Sequence, residues 1–391
     1  MSQGIETPTG KSAFVFSEDF TRYKFAEDHP FNPKRLVMTL ELIKQLGLLE
    51  EQHLFQPAPA TDEDLLRVHD SRYLDAVKRA SLPTADPDHF AAWGLGTEDT
   101  PIFPGMHDAS SLICGGTKLA AELVMSGQYQ HALNMAGGLH HAHRAQASGF
   151  CVYNDIAVAI AHVREKYDAR VVYIDTDAHH GDGVQWLFYE DPNVLTISFH
   201  ETGKYLYPGT GELTERGEGR GYGYSLNVPL EAFTEDDSWM QAVRDVLVPV
   251  LNAFQPDLIL HQNGCDAHRF DPLTHLAATT RIYRDMPKLT HQLAHELCEG
   301  RWVGVGGGGY DIWRVVPRAW TMLWAEILDA ELPEKVPTDW LERWQVQAPF
   351  ELPTTFLDPV DLFAPIPRRT EITEKNEITV RRALNGTPFL F

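Results

Sequence analysis

Arg170–Gly183, RVVYIDTDAHHGDG, runs from the apolar residues Val171–Ile174 straight into three aspartates and two histidines. A short run without polar alternation is the pattern of a strand buried on both faces, and such strands belong to parallel sheets. Further runs end as abruptly: AFVF (13–16), ALNMAGG (132–138), VLTISFHETG (194–203), PDLILHQNG (256–264) and RWVGVGGGG (301–309). Between them, Asp155–Tyr167, Asp236–Phe254 and Thr280–Cys298 show helical spacing. Alternation of strand and helix predicts an α/β protein with an open parallel sheet.

Ligands of such sheets bind beyond the carboxyl ends of the strands. Reactive residues stand there in four remote segments: GGLHHAH (137–143), DTDAHHGDG (175–183), HQNGCDAH (261–268) and GGGGYD (306–311). Asp177 and His179 are two apart, so both side chains can point to one side. With Asp266 as third ligand they make a mixed O,N,O site that leaves a coordination position open. A lone DxH equally describes a solvated turn with capping aspartates; the conjunction of four segments favours the metal.

His140 and His141 form a tandem pair at a strand end, where both imidazoles can face one cavity and supply a base and an acid. Two satisfied structural histidines, or an exposed HHAH run that binds metal adventitiously, are the alternatives. Asp175 and Asp182 can each fix one imidazole's tautomer, although Asp182 also suits a turn or cap. Gly306–Tyr310 lacks the lysine of a P-loop and the GxGxxG order of a dinucleotide fingerprint. Its glycines allow close backbone approach. Tyr310 then points inward as a donor to an oxyanion, or fills the core at a turn.

Composition narrows the partners. Lys+Arg 33 against Asp+Glu 55 give a net charge of −22 over 391 residues, which argues against a nucleic-acid binder. An acidic surface favours a neutral or basic partner. The start, MSQGIETPTGKSAFVFSEDF, lacks a secretory leader, and no segment reads as a membrane span, so a soluble cytoplasmic protein is expected. Cys114, Cys151, Cys265 and Cys298 form no CxxC pair and are expected as reduced thiols. A single domain is expected over 1–330. Prolines 333, 337, 349, 353, 359, 365 and 367 then recur among Trp340, Trp344, Phe350, Phe356 and Phe363, too apolar for a disordered tail. Residues 331–391 are therefore expected as an extension wrapped over the same domain.

GGLHHA, SGFCVYND, YIDTDAHHGDG, YPGTG, NGCDAH and VGGGGYD, in this order, resemble the motifs of the zinc-dependent histone deacetylase superfamily, class I-like branch. HPFNPKR, GLGTEDTPIFPGMH, YDIWRVVPRAW and PIPRRTEITEKN extend the likeness to the bacterial acetoin-utilisation members across almost the whole chain. The resemblance implies the arginase/deacetylase fold, three-layered with a central eight-stranded, mostly parallel sheet. It implies hydrolysis of acetyl-lysine in proteins to lysine and acetate, with acetyl-CoA synthetase a target by analogy. Carried over, Asp177, His179 and Asp266 hold Zn²⁺, Fe²⁺ being an alternative for this donor set. His140 and His141 are the base and acid pair, Asp175 and Asp182 their carboxylates, and Tyr310 the carbonyl donor. Phe150 and Tyr207 wall the substrate channel beside Gly149, Gly308 and Leu273, and Asp99 accepts backbone N–H groups of a peptide. A K⁺ or Na⁺ site is implied at Asp175, Asp177, His179, Ser198 and Phe199, mainly through backbone.

Leu139, Cys265 and Tyr207 depart from the residues common in relatives, which bears on channel width rather than on the reaction. Gly181 and His268 stand where an arginase-like binuclear centre would need aspartates, so a second catalytic metal is not expected. An acetylpolyamine amidohydrolase stays open as the alternative enzyme. A non-catalytic acetyl-lysine binder is disfavoured, because no metal ligand, histidine or tyrosine of the set is missing. His180 is expected to pack or hydrogen-bond behind the site.

Overall fold

Val171–Asp175 forms a strand in which every residue is buried. It lies inside an eight-stranded sheet in a computed structural model that describes residues 12–390. Residues 1–11, which include most of the stretch read above for a leader, lie outside the described residues, as does Phe391.

In chain order the strands are β1 (Ser12–Val15), β2 (Leu54–Phe55), β3 (His131–Asn134), β4 (Val171–Asp175), β5 (Val194–Glu201), β6 (Ser225–Leu230), β7 (Leu258–Gln262) and β8 (Trp302–Val305). The α-helices are α1 (Lys34–Gln45), α2 (Asp62–Leu66), α3 (Ser71–Ala80), α4 (Met106–Met125), α5 (Asp155–Tyr167) and α6 (Asp182–Leu187). They continue with α7 (Asp236–Phe254), α8 (Thr280–Leu297), α9 (Val316–Ile327), α10 (Thr338–Gln345) and α11 (Arg369–Leu384). The sheet order is β2-β1-β3-β8-β7-β4-β5-β6, and each neighbouring pair is parallel.

Side-chain alternation along the strands feeds two apolar layers. Val171 and Tyr173 join Leu260 and Val303 beneath Val124 of α4 and Ile160 of α5. Val172 and Ile174 join Leu133 and Ile259 in the layer that contains Met286 of α8 and Trp320 of α9. Burying each such side chain stabilises the fold by about 1.5–3 kcal/mol. Both faces being covered is why Val171–Ile174 shows no polar alternation in sequence.

Asp155–Tyr167 and Asp236–Phe254 are helical over the spans their spacing predicts, and α8 ends at Leu297 with Cys298 as its cap. Asn154 starts α5 by accepting the Ala157 N–H on its side chain. Two strands, β2 and β6, have no counterpart among the apolar runs read from sequence. They are the two edges of the sheet: β2 has only 2 residues, and β6 carries Pro229, which edge strands tolerate.

The proline-rich region, expected as a wrapped extension, contains the helix α10, and Arg369–Leu384 forms α11 after it. Trp340 and Trp344 of α10 are buried, and Trp340 Nε1 donates to the Met38 carbonyl of α1 at 3.0 Å. Their apolar burial, rather than extended backbone, accommodates the aromatic residues there. Asp358 is a second attachment. It accepts from Arg318 Nη1 at 3.0 Å and from the Thr280 N–H at 2.9 Å, and lies 2.8 Å from His268 Nε2. The four cysteines are buried and free. No helix among the described residues is long and apolar enough to cross a membrane.

Candidate active site

β3, β8, β7 and β4 are consecutive neighbours in the sheet, and these four strands carry the four reactive segments. Their carboxyl ends therefore open into one crevice. His140 and His141 follow β3, Asp175 ends β4, Asp182 opens α6, Asp266 follows β7 and Tyr310 follows β8.

Asp177, His179 and Asp266 form one buried cluster whose donor atoms all lie within 4.8 Å of one another. His179 Nδ1 is 2.8 Å from Asp266 Oδ2 and 3.2 Å from Asp177 Oδ1. The other oxygen of each carboxylate is held from behind. Asp177 Oδ2 accepts the Gly308 N–H at 2.6 Å, and Asp266 Oδ1 accepts the Ala178 N–H at 2.7 Å. Burial, then the facing charge of Asp177, pushes the Asp266 carboxyl upward. Two carboxylates and an imidazole aimed at one buried point are a donor set that a divalent cation fits, since its charge offsets their repulsion.

The tandem histidines each lean on a carboxylate. His140 Nδ1 lies 2.8 Å from Asp175 Oδ2, and His141 Nδ1 lies 2.7 Å from Asp182 Oδ1. Each carboxylate thereby fixes Nδ1 as the protonated nitrogen and turns Nε2 away from it. The two rings differ in charge. Burial alone would depress His140, but the facing Asp175 and Asp177 outweigh it and raise its pKa to about 9. Burial and the adjacent His140 hold His141 down to about 4. Neighbouring groups with divergent pKa values can take different roles, one moving a proton while the other stabilises charge.

Around this centre, the Phe150 ring lies 5.8 Å from that of Tyr310, and the Tyr207 ring 5.2 Å from that of His141. Phe150 has φ +66°, a left-handed conformation that costs a non-glycine residue energy and is commonest at functional sites. Gly149 precedes it at φ +53°, where a Cβ would fall 2.2 Å from His141 Cδ2. A Cβ on Gly308 would fall 2.2 Å from Asp266 Oδ2. Both positions require glycine for close approach. Leu273 is 36% exposed, and its N–H donates to Asp271 Oδ1 at 3.0 Å. Asp99 Oδ2 accepts the Gly149 N–H at 2.7 Å, so one of its oxygens is engaged within the chain. Ser198 and Phe199 lie on β5, with Ser198 opposite Asp175 in register.

His180 stands behind the crevice, 2.8 Å from Thr210 Oγ1 and 3.1 Å from Gln185 Oε1. His268 faces Asp358 of the C-terminal segment. Several supporting residues escaped the sequence reading. His143 Nε2 lies 3.3 Å from Asp182 Oδ2 as a second partner of that carboxylate. The buried Asp271 accepts the Tyr310 N–H at 2.8 Å. Arg35 of α1, 2% exposed, donates to the carbonyls of Gly307 at 2.8 Å and Gly309 at 3.2 Å and so fixes the glycine loop. The signal for Arg35 is a cation at a position that the amphipathic pattern of α1 buries.

Residues 29–327 match the model of the histone deacetylase domain. The chain is 53% identical over 373 residues to the acetoin utilization protein AcuC of Bacillus subtilis, covering 95% of this chain and 96% of that protein. It is 43% identical over 374 residues to AcuC of Staphylococcus aureus, covering 95% and 96%. Among solved structures, it is similar to an HDAC homolog complexed with SAHA, with TM-score 0.84 and 31% identity over 94% of this chain and 100% of that one. The HDAC homolog from Aquifex aeolicus gives TM-score 0.82 and 30% identity at the same coverage.

Proposed function

The chain belongs to the histone deacetylase family, and from that premise we propose that it hydrolyses the acetyl amide of acetyl-lysine in proteins, giving lysine and acetate. The observation that carries this reading is the convergence of two His–Asp pairs on the Asp177, His179 and Asp266 cluster, with Tyr310 beside it.

Asp177, His179 and Asp266 would hold the divalent metal, Zn²⁺ by the donor set, with Fe²⁺ as the alternative. When bound, it supplies Lewis acidity that polarises a carbonyl and lowers the pKa of water. His141 is neutral, and with Nδ1 tied to Asp182 its Nε2 takes the proton of the attacking water. His140, held as a cation by Asp175, stabilises the negative charge that develops beside it. Tyr310 donates its hydroxyl to the carbonyl oxygen as that charge grows. The amine leaves with the proton that His141 has accepted.

Phe150, Tyr207, Gly149, Gly308 and Leu273 would line the channel for the lysine methylenes. Such a sleeve admits a neutral acetyl-lysine more readily than a charged lysine, whose ammonium is costly to desolvate. Asp99 would accept peptide N–H groups through its remaining oxygen. A K⁺ or Na⁺ would sit at the carbonyls of Asp175, Asp177 and His179 with Ser198 and Phe199, a placement supported by the Asp175–Ser198 register. We assign 1–330 to the catalytic domain and 331–391 to an extension packed on it, supported by the Asp358 network. The names of the relatives support a role in acetoin utilisation; acetyl-CoA synthetase as target and the cytoplasm as location are proposed by analogy alone. The net charge of −22 supports a protein rather than a nucleic-acid partner.

A panel of acetyl-lysine peptides assayed beside acetylputrescine and acetylspermidine, with and without chelator, tests the proposal. Turnover of the peptides that chelator abolishes is expected. Turnover of the polyamines alone would replace it with an acetylpolyamine amidohydrolase.

A further inference from the structure

The opposite end of the sheet carries a second constellation of imidazoles. His131 is the first residue of β3, at the end remote from the crevice, while His291 and His295 stand one turn apart on α8. One turn of helix places two side chains on the same face. The three rings meet through their Nε2 atoms. His291 Nε2 is 3.1 Å from His131 Nε2 and 3.0 Å from His295 Nε2. The cluster sits against the Trp302 indole, 5.9 Å from His131 and 5.6 Å from His291 between ring centroids.

Hydrogen bonding accounts for this arrangement only in part. His291 Nδ1 lies 2.9 Å from Glu326 Oε1 on α9. A carboxylate only accepts, so Nδ1 carries the proton and a neutral His291 presents Nε2 as a lone pair. That single lone pair faces two other ring nitrogens at once. A carboxylate behind a histidine, with the opposite nitrogen pointed at a shared centre, is the support that metal-ligating histidines characteristically have.

We propose that His131, His291 and His295 form a second metal site, for a divalent transition ion of the Zn²⁺ type, which ties α8 to the start of β3. Imidazole ligands alone select Zn²⁺, Cu²⁺ or Ni²⁺ over Mg²⁺ or Ca²⁺, which require oxygen donors. His131 and His291 are buried and His295 is exposed, so the site is walled on two sides and open to an entering ion on the third. Glu326 offsets the added charge. Lying at the far end of β3 from the crevice, the ion acts on stability and not on turnover.

The site is independent of the deacetylase assignment, and its test keeps the two apart. Chelator-stripped full-length protein is titrated calorimetrically with Zn²⁺, as wild type, His295→Gln, His291→Gln, His179→Ala and the double variant His179→Ala/His295→Gln. Wild type is expected to take up two equivalents, and each single variant one. The double variant is expected to lose tight binding altogether. His295 is exposed, so His295→Gln retains the fold and should retain the wild-type rate of amide hydrolysis. In the His179→Ala background, Zn²⁺ should raise Tm by at least about 2 °C, a shift absent from the double variant. Uptake of a single equivalent by wild type with none by His179→Ala would overturn the proposal. So would binding to His295→Gln and His291→Gln as tight as to wild type.

Discussion

Replacing Tyr310 by Phe removes one hydroxyl and leaves in place the ring that meets Phe150 edge-on. If that hydroxyl donates to the developing oxyanion, kcat falls about 10²–10³-fold. Steady-state kinetics of the metal-loaded variant check this, and a near wild-type kcat contradicts the role. Asp182→Asn acts on His141, the proposed base, instead. It removes the carboxylate that faces both His141 and His143 and so releases the His141 tautomer. A fall in kcat of at least about tenfold is expected, with KM changed less. The candidate residues at the centre were legible because they cluster in the short polar or glycine segments that follow apolar runs. Arg35 was not, because the carbonyl that explains it, that of Gly307, lies 272 residues away. Asp271, which holds the Tyr310 N–H, reads in sequence as a turn residue.

At the scale of elements, Asp358 joins the C-terminal segment to both α8 and α9, beside the Thr355 and Phe356 carbonyls that also accept from Arg318. Its carboxylate is 1% exposed and faces the 2% exposed Arg318 guanidinium. Asp358→Asn leaves that guanidinium buried without its counter-charge and is expected to cost about 3–5 kcal/mol in denaturant unfolding. A loss below about 1 kcal/mol would show that the segment is not anchored there. Burial opposes ionisation of Asp358, but the contacts from His268 and Arg318 outweigh it and hold its pKa well below the usual value. A carboxyl depressed in the folded state binds protons more readily when unfolded. Its contribution is therefore present above the unfolded pKa of about 3.9 and is lost as pH falls below it. The wild type should lose more stability than Asp358→Asn in that acid window, where other paired carboxylates such as Asp64 and Glu122 weaken both proteins alike. The central strands were legible from uninterrupted apolar runs. β2 and β6 were not, because edge strands are short or carry proline and polar residues. α10 was masked by the prolines around it, although Trp340 and Trp344, four apart, mark its buried face.

Over the whole molecule, the strand order turns four distant motifs into one site. β7 and β8 return late in the chain and insert between β3 and β4, bringing the HHAH, DTDAHH, NGCDAH and GGGGYD segments to neighbouring strand ends. The class of sheet followed from the sequence pattern. This order did not, because local hydropathy does not encode which strands are neighbours. The net charge of −22 also acts at this scale. Acetyl-lysine peptides flanked by Lys or Arg should show higher kcat/KM than those flanked by Asp or Glu, with a difference that shrinks as salt rises. Equal kcat/KM at low salt would remove any steering role for the acidic surface. The central claim is that Asp177, His179 and Asp266 hold the metal for amide hydrolysis. It is tested most directly by acetate release from an acetyl-lysine peptide after chelator-stripped enzyme is reloaded with Zn²⁺. Activity should return in the wild type and in His295→Gln but not in His179→Ala; full turnover by the stripped enzyme, or recovery by His179→Ala, would contradict the account.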